Sequence, residues 1–159
     1  MRHAKSSWDD SSLRDIERPL NKRGKRDAPA MGNYLKKLGV VPDHIISSPA
    51  QRARQTVFLL SDVFELNRDA ISWNEDLYYK GVEAYTKAIR KTPSKAETIL
   101  LAGHNPTIEH VVAHLSADRT REVITTANIA CFESRADTWS GVGPVNCTFK
   151  WLVRPNDLE

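Results

Sequence analysis

Apolar residues along the chain recur at helical spacing in some segments and form short strand-like runs in others. The clearest helical segment carries an apolar stripe of Met31, Tyr34, Leu35 and Leu38. Asn21 is a suitable N-cap for this helix, and Gly39 is a suitable end. Because Pro29 interrupts the pattern, the sequence predicts either a later start or a kinked helix.

The rest of the pattern alternates between the two element types. We expect strands over residues 44–47, 70–73, 98–102, 129–132 and 148–153. We expect helices after Ser48-Pro49 and after Pro106, since proline is favoured in a first helical turn. A further helix is expected over residues 82–90. This alternation predicts one α/β domain over residues 1–159, a three-layer α/β/α sandwich around a mainly parallel sheet.

Composition is that of an ordinary globular domain, with 40% hydrophobic and 27% charged residues. The apolar runs are only a few residues long, which predicts no membrane-spanning segment. Residues 1–20 are polar and charged rather than signal-like, so we expect a cytoplasmic protein. The 23 basic residues are offset by 20 acidic ones, and the net charge of +3 does not indicate a nucleic-acid partner. Cys131 and Cys147 are expected to be reduced, buried thiols.

Three motifs each follow a predicted strand or lie at the start of the chain. They are Arg2-His3, Ser48-Pro49-x-x-Arg52-Ala53-x-x-Thr56 and Gly103-His104-Asn105-Pro106. Open parallel sheets bind ligands at the carboxyl ends of their strands. The motifs are therefore expected to converge on one pocket.

Taken together, in this order and spacing, the motifs resemble those of the histidine phosphatase superfamily, the phosphoglycerate mutase-like proteins. The short chain is similar to the small SixA-like branch of phosphohistidine phosphatases. The resemblance implies a phosphoglycerate mutase-like fold and a phosphatase that uses no metal or other cofactor. It also implies a phosphate-binding pocket made of Arg2, His3, Arg52 and His104.

The resemblance gives each of these residues a role. His3 is the expected nucleophile, because a neutral imidazole can attack phosphorus and form a phosphohistidine. Arg2 and Arg52 would bind phosphoryl oxygens, which match the planar donors of a guanidinium group. His104 would donate a hydrogen bond to the phosphoryl group in the transition state.

The proton donor is less well marked. Glu75 is the candidate general acid, with Asp76 as the alternative, because the family often supplies a carboxylate from this region. Arg14 lies in a segment that could line the pocket, whereas Arg54 has the position of a surface cation on a helix. The segment from Leu20 to Gly24 matches a family pattern whose backbone would orient His3.

Two other readings remain open. His110 and His114 share one helix face and could hold a metal, although no further ligand completes a site in the sequence. A phosphate-binding or protein-interaction module without catalysis is also consistent with the chain. Only Met1 precedes Arg2, where family members usually have a central strand, so neighbouring strands are expected to lose pairing and His3 to be placed less firmly.

The expected partner is a phosphorylated protein, such as a phosphotransfer domain, or a small phosphate ester. No long insertion separates Thr56 from Thr98, which predicts a shallow, open pocket able to admit a phosphorylated side chain. We expect a monomer, with neither nucleic acid nor a membrane as partner.

Overall fold

A computed structural model describes residues 1–158 and contains both element types in the predicted order. The strands are β1 (His44–Ser47), β2 (Ile71–Trp73), β3 (Ile99–Ala102), β4 (Ile129–Ser134) and β5 (Cys147–Val153). The helices are α1 (Lys22–Lys37), α2 (Gln51–Phe64), α3 (Asp76–Tyr79), α4 (Val82–Arg90) and α5 (Thr107–Leu115). Among these described residues, no helix is both long and apolar enough to cross a membrane.

Helix α1 begins where its predicted cap lies and continues through the proline. The Asn21 side chain accepts a hydrogen bond from the Gly24 N–H at 2.9 Å, which fixes the start of the helix. Pro29 lies inside α1, so the alternative of a later start is wrong. Gly39 follows the helix with a φ of 71°, a conformation that favours glycine.

Within residues 1–158 the strands form two sheets, one parallel and one antiparallel. Strands β2, β1 and β3 are parallel neighbours in that order, and β4 pairs with β5 in antiparallel fashion. Ile45 packs into a core with α1 and α2, whereas the next residue, Ile46, packs with α4 and α5. Helices therefore cover both faces, which confirms the three-layer α/β/α sandwich.

Residues 1–3 connect the two sheets. On one side the Met1 nitrogen donates to the Leu101 carbonyl at 2.8 Å, and the His3 N–H donates to the Gly103 carbonyl at 2.9 Å. On the other side the Arg2 N–H donates to the Asn128 carbonyl at 3.1 Å. The backbone of His3 is thus firmly held, and the expected weak placement is wrong.

The expected loss of pairing is seen between β3 and β4, which belong to different sheets. A cavity of about 660 Å³ is lined by residues of both strands, among them Leu101 and Ile129. Met1 also lines this cavity, whereas His3 does not. Gly103 and Ala127, which form hydrogen bonds with the His3 backbone, do not line it either.

Candidate active site

The three motifs meet at one end of the sheet. Ser48 directly follows β1, Gly103 directly follows β3, and His3 lies beside Gly103. The rings of His3 and His104 have centroids 5.0 Å apart. Arg52, in the first turn of α2, has its Nε 3.3 Å from His3 Nε2. The fold thus brings the sequence-predicted residues His3, Arg52 and His104 together.

His3 has the protonation state that a nucleophile needs. Its side chain is only 7% exposed, and Nδ1 lies 2.7 Å from the Ala4 carbonyl oxygen. Since a carbonyl can only accept, Nδ1 carries the proton and Nε2 keeps its lone pair. Burial, followed by the positive charges of the neighbouring groups, lowers the pKa of His3 to about 3, against the opposing effect of the Ala4 hydrogen bond. His3 is therefore neutral at physiological pH.

The threonine that ends the second motif supports the nucleophile through the backbone. Thr56 Oγ1 accepts a hydrogen bond from the Ala4 N–H at 3.0 Å and donates one to the Arg52 carbonyl at 2.7 Å. The residue is fully buried. One hydroxyl group therefore joins the segment that carries His3 to the helix that carries Arg52.

The segment from Leu20 to Gly24 packs against the same stretch of chain. The Asn21 N–H donates to the Lys5 carbonyl at 3.0 Å. A Cβ atom at Gly24 would lie 2.2 Å from that carbonyl oxygen, so the close approach requires glycine. The predicted role of this segment in orienting His3 fits these contacts.

Two donors near His3 have no partner within the described residues. His104 Nε2 lies 2.7 Å from Ser48 Oγ; with that hydroxyl group donating, Nδ1 carries the proton. His104 Nδ1 and Arg2 Nε are both buried and unpaired, while Arg2 Nη1 donates to the Ile124 carbonyl at 2.9 Å. Burial, and then the charge of Arg52, lowers the pKa of His104 to about 4. Unpaired buried donors are costly, and an anion between these groups would satisfy them.

Asp15 and Tyr78 belong to the site but were not identified from the sequence. Asp15 Oδ2 accepts hydrogen bonds from Arg52 Nη2 at 2.9 Å and from the Tyr78 hydroxyl group at 2.8 Å. The Tyr78 ring meets the His104 ring edge to face at 5.3 Å. The only available signal for Asp15 was a general one: a buried arginine needs a counter-charge. The candidate from that segment, Arg14, lies instead on the surface in an ion pair with Glu17.

The two candidate acids lie at the start of α3. Glu75 is exposed, and its carboxylate has no hydrogen bond or ion pair within residues 1–158. Asp76 pairs with Lys80 at 2.9 Å. Within the described residues neither carboxylate has a hydrogen bond to His3 or His104, and the acid role of Glu75 stays a prediction.

The alternative metal pair lies elsewhere. His110 and His114 are exposed on α5. Over the part of the chain that the structure describes, no group of three or more His, Cys, Asp or Glu side chains is arranged to hold a metal ion. The geometry thus gives these histidines no third ligand.

Comparison with known proteins agrees with the geometry. The model of the histidine phosphatase superfamily (branch 1) matches residues 1–77. The phosphohistidine phosphatase SixA of Escherichia coli is 32% identical over 163 residues, covering 100% of this chain and 94% of SixA. A solved structure of SixA complexed with tungstate superposes with a TM-score of 0.86 at 27% identity, covering 100% of this chain and 97% of that one. An uncharacterised chloroplastic protein of Arabidopsis thaliana is 32% identical over 98% of this chain and 76% of its own length. The chain therefore belongs to the histidine phosphatase superfamily.

Proposed function

We propose that the protein is a metal-independent phosphatase that acts through a phosphohistidine intermediate on His3. The observation that carries this proposal is the neutral, buried imidazole of His3, whose Nε2 lone pair faces the guanidinium group of Arg52. The unpaired nitrogens of Arg2 and His104 complete a set of donors for a phosphoryl group. These fixed groups supply the positive charge that a metal would otherwise provide.

The reaction has two displacement steps. Arg2, Arg52 and His104 bind the phosphoryl oxygens, and His3 Nε2 attacks phosphorus in line. A P–N bond to His3 forms as the bond to the leaving group breaks, and that group takes a proton from Glu75 or from water. Water then attacks the phosphohistidine, which releases inorganic phosphate and restores neutral His3.

The proposed substrate is phosphohistidine on a protein, such as a phosphotransfer domain, or a related phosphomonoester. Similarity to SixA, named a phosphohistidine phosphatase, supports the first choice. An imidazole leaving group depends less on a general acid than an alcohol does, and the exposed Glu75 has no hydrogen bond to a site residue within residues 1–158. We further propose that the protein acts as a monomer in the cytoplasm, where Cys131 and Cys147 stay reduced.

The test compares wild type with His3→Ala on a phosphohistidine-bearing protein and on an aryl phosphate, in the presence of a chelator. His3→Ala should lower kcat by about 10³-fold or more, because it removes the nucleophile on which the intermediate forms. His114→Ala, at an exposed position on α5, is the matched control and should keep full turnover. The faster substrate distinguishes phosphohistidine from ester specificity.

Three results would contradict the proposal. Turnover retained by His3→Ala would show that His3 is not the nucleophile. Wild-type activity abolished by the chelator would favour a metal-dependent hydrolase that uses His110 and His114. Phosphate binding by wild type without any turnover would favour the binding module.

A further inference from the structure

We infer that Asp15 is a positioning residue that orients the guanidinium group of Arg52 toward His3; the inference rests on the proposed function. Arg52 is only 6% exposed, and each guanidinium nitrogen has a partner. Nε faces His3 Nε2 at 3.3 Å, Nη1 donates to the Asp15 carbonyl at 2.6 Å, and Nη2 donates to Asp15 Oδ2 at 2.9 Å. Asp15 therefore binds both terminal nitrogens, through its backbone and its side chain.

These contacts fix the direction of the remaining donor. A guanidinium group is planar, so holding Nη1 and Nη2 also sets where the Nε–H bond points. Without Asp15 the long side chain of Arg52 would regain rotamer freedom beside the nucleophile. Its charge would also lack the carboxylate that compensates it in a buried place.

Asp15 is itself held from both sides of the pocket. Its Oδ1 accepts from Arg18 Nη1 at 2.9 Å, and the buried Arg18 donates to Ser6 Oγ at 2.7 Å, close to His3 in the chain. Its Oδ2 accepts from Tyr78, whose ring lies against His104. Asp15 is thus the point at which the segment after His3, helix α2 and helix α3 are joined.

The chemistry of this carboxylate fits positioning rather than proton donation. Burial raises the pKa of Asp15, but hydrogen bonds from Tyr78, Arg18 and Arg52 outweigh it and hold the pKa well below its usual range. A carboxylate that stays ionised is a poor general acid. It is a good anchor, since bonds between charged partners are the stronger hydrogen bonds.

The experiment uses Asp15→Asn, Arg52→Ala and the double variant, with Glu17→Gln as the matched control. Glu17 lies in the same short turn as Asp15 but pairs with exposed Arg14 on the surface. Three quantities are measured for each protein: kcat and KM on an aryl phosphate, and the dissociation constant of tungstate, a phosphate analogue. The melting temperature shows that each variant folds.

Asp15→Asn should lower kcat/KM and weaken tungstate binding by about tenfold or more in the wild-type background. In the Arg52→Ala background, Asp15→Asn should change kcat/KM and tungstate affinity by less than about threefold, because the guanidinium group that Asp15 positions is absent. Glu17→Gln should stay within about twofold of wild type.

Two outcomes would overturn the inference. One is an Asp15→Asn variant with unchanged tungstate affinity. The other is an equal loss of tungstate affinity from Asp15→Asn in the wild-type and Arg52→Ala backgrounds, which would indicate a merely structural role for Asp15. The tungstate measurement also separates this inference from the proposed function. If His3→Ala retained turnover, the proposed mechanism would be wrong. The tungstate measurements would still test the coupling between Asp15 and Arg52, because they do not depend on turnover.

Discussion

Thr56 shows how much of this site depends on one buried hydroxyl group. The hydroxyl accepts from the Ala4 N–H and donates to the Arg52 carbonyl, so both of its hydrogen-bonding roles are used. The Ala4 carbonyl in turn fixes the tautomer of His3. The threonine of the motif therefore acts on the nucleophile without touching a substrate.

Replacing this hydroxyl with a methyl group should cost stability and activity together. Thr56→Val keeps the shape of the side chain but leaves the Ala4 N–H buried without a partner. We expect a loss of about 1–3 kcal/mol in the free energy of unfolding, measured by urea denaturation. The value of kcat/KM should fall as well, because the backbone next to His3 shifts.

Thr86→Val is the matched control for this change. Thr86 lies on α4, and its hydroxyl group donates to the Glu83 carbonyl at an exposed place. Its replacement should change the free energy of unfolding by less than about 0.5 kcal/mol. Equal losses in the two variants would show that the contact between Thr56 and Ala4 is not the cause.

At this scale the sequence identifies the residues whose type alone suggests chemistry. His3, Arg52 and His104 stand in motifs of defined spacing, and the fold does bring them together. Asp15 and Tyr78 carry no such mark, since aspartate and tyrosine are common in polar loops. Their importance comes from tertiary contacts with Arg52 and His104, which no local pattern encodes.

Among the elements, those with clear periodicity were predicted well and those that depend on distant partners were not. Strand β1 and helix α4 have the bounds that the apolar pattern indicated. The pairing of residues 1–3 was missed, because its hydrogen bonds come from residues 101, 103, 127 and 128. Helix α1 tolerates Pro29 because capping at Asn21 and packing on α2 outweigh the lost N–H.

The contact between the start of α1 and the segment after His3 gives a prediction for Gly24→Ala. Alanine normally favours a helix, but here its Cβ would lie 2.2 Å from the Lys5 carbonyl oxygen, which is a backbone atom. The clash must move one of the two segments. We expect a loss of about 1–3 kcal/mol in stability, seen as a lower melting temperature, with a lower kcat/KM because Lys5 is close to His3.

Gly81→Ala is the comparison for this element. Gly81 precedes α4, and a Cβ there would meet no atom within 4 Å. The variant should melt within a few degrees of wild type and keep its activity. If Gly24→Ala behaved the same way, the close packing of α1 on Lys5 would not be what holds the nucleophile segment.

For the whole molecule, the burial of the site makes folding depend on pH. Burial lowers the pKa of His3 to about 3 and that of His104 to about 4. In the unfolded chain both histidines have pKa values near 6.5. At pH values between the folded and the unfolded pKa values, the unfolded chain binds more protons than the folded protein.

The sign of the effect follows from this difference in bound protons. Each of the two histidines stabilises the folded protein fully above its unfolded pKa, and this contribution is lost as pH falls toward its folded pKa. The free energy of unfolding should therefore fall between pH 7 and pH 5, by up to about 1.4 kcal/mol per pH unit for each group. Asp15 adds nothing in this window, because its carboxylate is ionised in both states there.

Urea denaturation at pH 7, 6 and 5 tests this expectation on wild type, His3→Gln and His114→Gln. His3→Gln removes one titrating group, so its stability should decline less steeply with falling pH than that of wild type. His114 is exposed on α5, and its replacement should leave the slope unchanged. A wild-type slope near zero would mean that His3 is as easily protonated in the folded protein as in the unfolded chain. The neutral imidazole on which the proposed attack depends would then be absent at the lower pH values.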